Sequence, residues 1–218
     1  MSSSFRKKIK DDIDSKLKEN GFKKKKLSYI LSSDEASALT LSITSRHIQE
    51  RGAIVFSVFV GVSVRIVNKI YIRLTNCKNN NPYVTEDMYI VGENIGYIMP
   101  RNSYMEWKFY ETTYTEESLD DMITSIQTYA IPYYTSRNEL DSLLHFVEGK
   151  IGIIKIRRNE YYPILLYLNG RIDESVAFVK GIVRSDCYKD LEKNAYNNFA
   201  NNFMKMVNYT LDENWNRI

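Results

Sequence analysis

The chain has 218 residues and a mass of 25.6 kDa, with 44% hydrophobic and 26% charged residues and a formal net charge of +3. A chain of that mass removes roughly 70% of its unfolded surface from water, so a core can form without staples, and disorder, collagen and small cystine scaffolds are excluded. The small net charge conceals an asymmetry, because residues 6–26 hold ten Lys or Arg against four acids.

The first residues, Met1-Ser2-Ser3-Ser4-Phe5-Arg6-Lys7-Lys8-Ile9, have no apolar run after the basic positions, which predicts a cytoplasmic protein without a secretory signal. The strongest apolar stretch, residues 53–64, is interrupted by Ser57, Gly61 and Ser63 and is too short for a membrane span. Cys77 and Cys187 stand alone and far apart, so both read as reduced thiols that bind no metal. The abundance of Lys, Asn, Ile and Tyr fits a bacterial source.

In chain order, Phe5, Ile9, Ile13 and Leu17 recur every four residues, and Gly21 stands where a helix end favours a left-handed residue. An N-terminal helix is predicted there, followed by an extended segment from Phe22 to Leu31. Leu39, Leu41 and Ile43 alternate with Thr40, Ser42 and Thr44, the period of a half-buried strand. Ile54, Phe56, Val58, Val60, Val62 and Val64 carry the same period through a long central strand. Short connections make the simplest arrangement an antiparallel meander, with residues 76–82 as a polar loop. A further strand is expected near residues 93–99, and Met105, Trp107 and Phe109 mark another.

Thr115 reads as an N-cap, the acids after it suit a helix N-terminus, and Leu119, Met122, Ile123 and Ile126 trace a helical stripe that Pro132 is expected to end. Ser136-Arg137-Asn138-Glu139 fits a capping box opening a helix through Leu140, Leu143, Leu144 and Val147 to Gly149. After an apolar run at 151–156, Asn169-Gly170 separates two helical segments in a hairpin, and Leu191, Ala195, Phe199, Phe203 and Val207 predict a last helix. The fold class is therefore α+β: a sheet domain over residues 1–150, and a helical hairpin with a C-terminal helix over 151–218 packed on it.

The Gly21-Phe22-Lys23-Lys24 turn after the first helix, the Trp107 strand, and the segment Tyr129-Ala130-Ile131-Pro132-Tyr133-Tyr134 together resemble an uncharacterised bacterial group, the domain-of-unknown-function family 4304, over residues 5–148. The resemblance implies the order of elements and no catalytic residues. Small bacterial proteins of this kind often act as immunity or accessory proteins in toxin systems, an analogy of fold and setting only.

The phosphate-loop, dinucleotide, nucleophile-elbow and zinc-protease motifs are all absent. His47 and His145 are the only histidines, too few for a histidine-rich metal site, and both read as structural or solvent-facing. The expectation is a protein that is not an enzyme and carries no cofactor or metal. One enzyme-like pattern remains: Glu106-Trp107-Lys108 on a strand, with Asp87 upstream, as in metal-dependent nucleases, where the acids would hold Mg²⁺ and the lysine a phosphate. Any strand with one wet face yields the same spacing.

Two groups are candidates for partner binding. Among 17 tyrosines, Tyr133 and Tyr134 beside the helix end could form a protein-binding face, or lie at the rim of the core. Lys23, Lys24, Lys25 and Lys26 could meet an acidic protein or nucleic acid, or guard a sheet edge against other strands. The leading expectation is a protein partner, with nucleic acid as the alternative and no membrane.

Overall fold

The structure is a computed structural model that describes residues 3–26, 28–32, 36–48, 53–77, 84–149, 157–185 and 190–214. It is α+β and divides into two compact units. The first comprises Met1–Ser63 with Val91–Asn138, and the second comprises Val64–Ile90 with Glu139–Ile218.

The first unit opens with α1 (Ser3–Glu19), whose Phe5, Ile9, Ile13 and Leu17 are all buried. Gly21, at φ +82°, ends it: Gly21 N–H donates to Lys18 O, and Phe22 N–H donates to Leu17 O at 2.9 Å. That paired closure needs a left-handed residue, which glycine adopts without steric cost. The chain then enters β1 (Lys23–Lys25), β2 (Ser28–Leu31), β3 (Ser37–Ile48) and β4 (Ala53–Val64), in the spatial order β1-β2-β3-β4. The meander is antiparallel, with Lys23 opposite Ile30 and Tyr29 opposite Leu41 in the outer pairs. Both β5 (Val91–Asn94) and β6 (Trp107–Tyr110) pair antiparallel with β4, β5 along Phe59–Val62 and β6 along Ala53–Phe56. On β4, Ile54, Phe56, Val58, Val60 and Val62 are buried, while Ser57 and Phe59 between them are half-buried. The strand expected at 93–99 stops at Asn94, where a 3-10 turn (Ile95–Tyr97) begins.

Thr115 is the expected cap, in a reciprocal box with Ser118. A 3-10 turn (Glu116–Leu119), α3 (Asp120–Ser125), a π-helical turn (Ile126–Ala130) and α4 (Ile131–Thr135) form one continuous rod. Pro132 does not end it. Ile131 N–H reaches back five residues to Ile126 O, and this π-helical turn lets the rod run on through Pro132, which has no N–H to give.

The second unit is helical. It begins with α2 (Arg65–Thr75), which follows β4 directly and was not anticipated; Val67, Asn68, Tyr71 and Leu74 form its buried side. The buried Asn68 amide donates to Glu86 O at 2.8 Å and Met88 O at 2.6 Å, holding the segment before β5 against α2. Then come α5 (Leu140–Gly149), α6 (Arg158–Leu168), α7 (Ile172–Arg184) and α8 (Asp190–Asn214). The hairpin of α6 and α7 turns at Gly170, φ +77°, as its Asn-Gly pair predicts. On α8 the buried line is Tyr196, Phe199, Ala200, Phe203 and Val207, and Ala195 lies exposed beside it. Both α2 and α5 pack on α6, and α2 also packs on α8, so the helical unit takes in residues 64–90 and 139–149 as well as the tail expected from 151. The apolar run at 151–156 and most of the loop expected at 76–82 lie outside the described residues. Among the described residues no helix is long and apolar enough to cross a membrane.

Candidate interaction surface

Among the described residues β1 is the outermost strand of the sheet, so the lysine run begins at the sheet's edge. Lys23, Lys24, Lys25 and Lys26 are all exposed. Lys24 pairs with Asp14 of α1 and sits 5.7 Å from the Tyr29 ring centre. Tyr29 donates its hydroxyl to the same Asp14, and burial, then that carboxylate, pushes its phenol above the ordinary range. Lys26 has φ 56°, a left-handed conformation that glycine or asparagine adopts more cheaply than lysine. Along α1, Lys7, Lys8, Lys10 and Lys18 are also exposed, with Asp11 and Glu19 among them. Lys16 is tied down instead, 2.9 Å from Asp120, whose hydrogen bond raises the ammonium above its usual range.

Tyr133 and Tyr134 do not form a surface. They are 6% and 4% exposed, and the face expected of them is corrected to core. The Tyr134 hydroxyl lies 2.9 Å from Ser37 Oγ on β3. The Tyr133 phenol is pushed up by burial first and by the buried Glu93 second, and the Arg137 guanidinium covers its ring at 4.1 Å. Continuation of the helix through Pro132 turns both rings inward.

The two nuclease-like acids are engaged in ion pairs. Glu106 takes both oxygens to Arg46, at 2.8 and 2.9 Å, and Asp87 accepts from Arg65 at 3.0 Å. Lys108 is exposed on β6 in the same unit as Glu106, whereas Asp87 belongs to the helical unit. Among the described residues no group of three or more His, Cys, Asp or Glu side chains is placed to hold a metal ion. His47 and His145 are both exposed.

A second feature of the sheet escaped sequence reasoning. Asn94 at the end of β5 opposes Phe59, and Trp107 at the start of β6 opposes Phe56, so residues 95–106 leave the sheet and return opposite only Ser57 and Val58. Asn94 closes the neck of this excursion. Its Oδ1 accepts from Met105 N at 2.9 Å and Gly96 N at 3.0 Å, while Nδ2 donates to Met105 O at 2.9 Å. The amide thus replaces a backbone ladder pair.

No family model, curated protein or solved structure matches this chain.

Proposed function

We propose that this chain is a non-enzymatic binding protein, working inside a bacterial cell, that holds an acidic protein partner against its lysine-bearing sheet edge. The observation that carries the reading is the edge itself: four consecutive exposed lysines, Lys23, Lys24 and Lys25 on the outermost strand and Lys26 in the turn that follows it. Lysines on an edge strand also guard it against pairing with other strands. Lys26 extends the run into the turn between Lys25 and its strand partner Ser28, a hairpin position that favours its positive φ and that glycine or asparagine fills at about 1 kcal/mol less cost.

Protein is favoured over nucleic acid by the company the lysines keep. Asp11, Asp14 and Glu19 break the basic surface of α1, and Tyr29, the aromatic beside the run, is buried and bonded to Asp14. A phosphate backbone favours an unbroken cationic track, and single strands need open rings for stacking. An immunity or accessory role in a toxin system rests on the family resemblance and on no particular residue.

The test is capture by the tagged chain from a lysate of its source cells, washed at low and then high salt. A single acidic protein at near-stoichiometric yield is expected. Nucleic acid, recognised by its 260 to 280 nm absorbance ratio and shed with a log–log salt slope of about −0.7 to −0.9 per phosphate, would overturn the reading.

A further inference from the structure

We infer that the excursion between β5 and β6 is a second, preorganised protein-recognition loop, whose Tyr97, Arg101 and Tyr104 grip an apolar patch bordered by carboxylates on a partner protein. It lies at the opposite edge of the sheet from the lysine strand and does not depend on it.

The interruption is a built feature. Without residues 95–106, β5 and β6 would continue past Ser57 and Val58 as one strand along β4. The excursion is closed by the Asn94 amide and braced internally by Ser103 N–H to Gly96 O at 3.1 Å and Asn102 N–H to Met99 O at 2.9 Å. Its two arms approach so closely at Gly96 that a Cβ there would stand 2.1 Å from Ser103 O, so glycine is required. Asn102 adopts φ 46°, which asparagine tolerates at a tight turn. Binding residues are disproportionately carried on loops that a rigid scaffold positions.

What the loop holds outward points to its ligand. Tyr97 is 45% and Tyr104 55% exposed, with Pro100, Arg101, Asn102 and Ser103 also exposed between them. A rigid loop showing Tyr, Arg, Asn and Ser has the composition of protein-binding loops: two-torsion rings supply apolar area at little entropy cost, and short polar groups supply hydrogen bonds. The charge sets the partner's sign. Glu106 is neutralised by Arg46, leaving Arg101 and the exposed Lys108 to meet carboxylates. One arginine in the loop is too little charge to hold a nucleic-acid backbone, which favours a protein ligand.

A random 12-residue peptide library displayed on phage, selected against the full chain, supplies the probe. Enriched peptides are expected to combine Asp or Glu with Leu, Phe or Met, and to lose roughly tenfold or more in affinity for Y97A/Y104A and for R101E, with the thermal midpoint of each variant unchanged because all three side chains are exposed. Three results would overturn the inference: no enriched peptides, peptides that bind Y97A/Y104A as tightly as the parent chain, or single-stranded oligouridylate binding that the same variant abolishes. Peptides weakened by K23E/K25E and not by the loop variants would place recognition on the lysine edge, sinking this inference while leaving the proposed function in place.

Discussion

Replacing Tyr134 separates a core role from a surface role. Its ring is 4% exposed and its hydroxyl lies 2.9 Å from Ser37 Oγ. Truncation of a buried ring to alanine costs about 3–5 kcal/mol, and loss of the hydroxyl's partner adds about 1 kcal/mol. Tyr134→Phe removes only the hydroxyl and should cost about 1 kcal/mol. The assay is urea unfolding followed through Trp107, which is buried in the same unit and donates Nε1–H to Asp121 at 2.7 Å. Trp215 is changed to Phe so that Trp107 is the sole tryptophan. At an m-value of about 2 kcal/mol/M, Tyr134→Ala should lower the midpoint by about 2 M and Tyr134→Phe by about 0.5 M. An alanine variant with a midpoint within about 0.3 M of the parent would refute the burial argument and return the tyrosines to the surface.

Further outcomes follow from the same geometry. Asn94→Ala removes the three neck hydrogen bonds and should destabilise the first unit by about 2–3 kcal/mol, with amide exchange rising mainly over residues 96–105. Lys26→Gly should raise stability by roughly 0.5–1 kcal/mol, because the left-handed position no longer opposes a side chain, while weakening partner capture. Burial holds the phenols of Tyr29, Tyr114 and Tyr133 above their unfolded value of 10.0. Their contribution is complete below pH 10 and is lost as pH rises towards the folded values, since the native state then retains more protons than the unfolded chain. Chemical denaturation of Tyr29→Phe should show a shallower fall in stability above pH 10 than the parent.

Much of the fold was legible because the local signals agreed. The four-residue spacing of Phe5 to Leu17 with Gly21, the period-two run through β4, the alternation around Trp107 and the Asn-Gly hairpin each named an element that the structure contains. Helix α2 was hidden because it follows β4 with no break and no side-chain cap, although Val67, Tyr71 and Leu74 carry helical spacing. The tyrosines were misplaced by one proline. Leu119, Met122, Ile123, Ile126, Ala130, Tyr133 and Tyr134 form a single buried stripe once the helix passes through Pro132, so the signal for burial was present in the sequence. The excursion at 95–106 could not be read, because Ile95, Ile98 and Met99 look like a continuing strand and nothing in one sequence shows the Asn94 amide standing in for a backbone pair. The exposed lysines were legible both as a run and, through the habit of lysines to guard sheet edges, as an edge strand.

The central claim is that the lysine edge holds an acidic protein, and titration calorimetry of the captured partner against the parent chain and K23E/K25E tests it most directly. Both lysines are exposed on β1, so the variant should keep the parent's thermal midpoint. The account predicts roughly tenfold or greater weakening and a reduced salt dependence of affinity. Parent-like affinity and an unchanged salt dependence in K23E/K25E would contradict it.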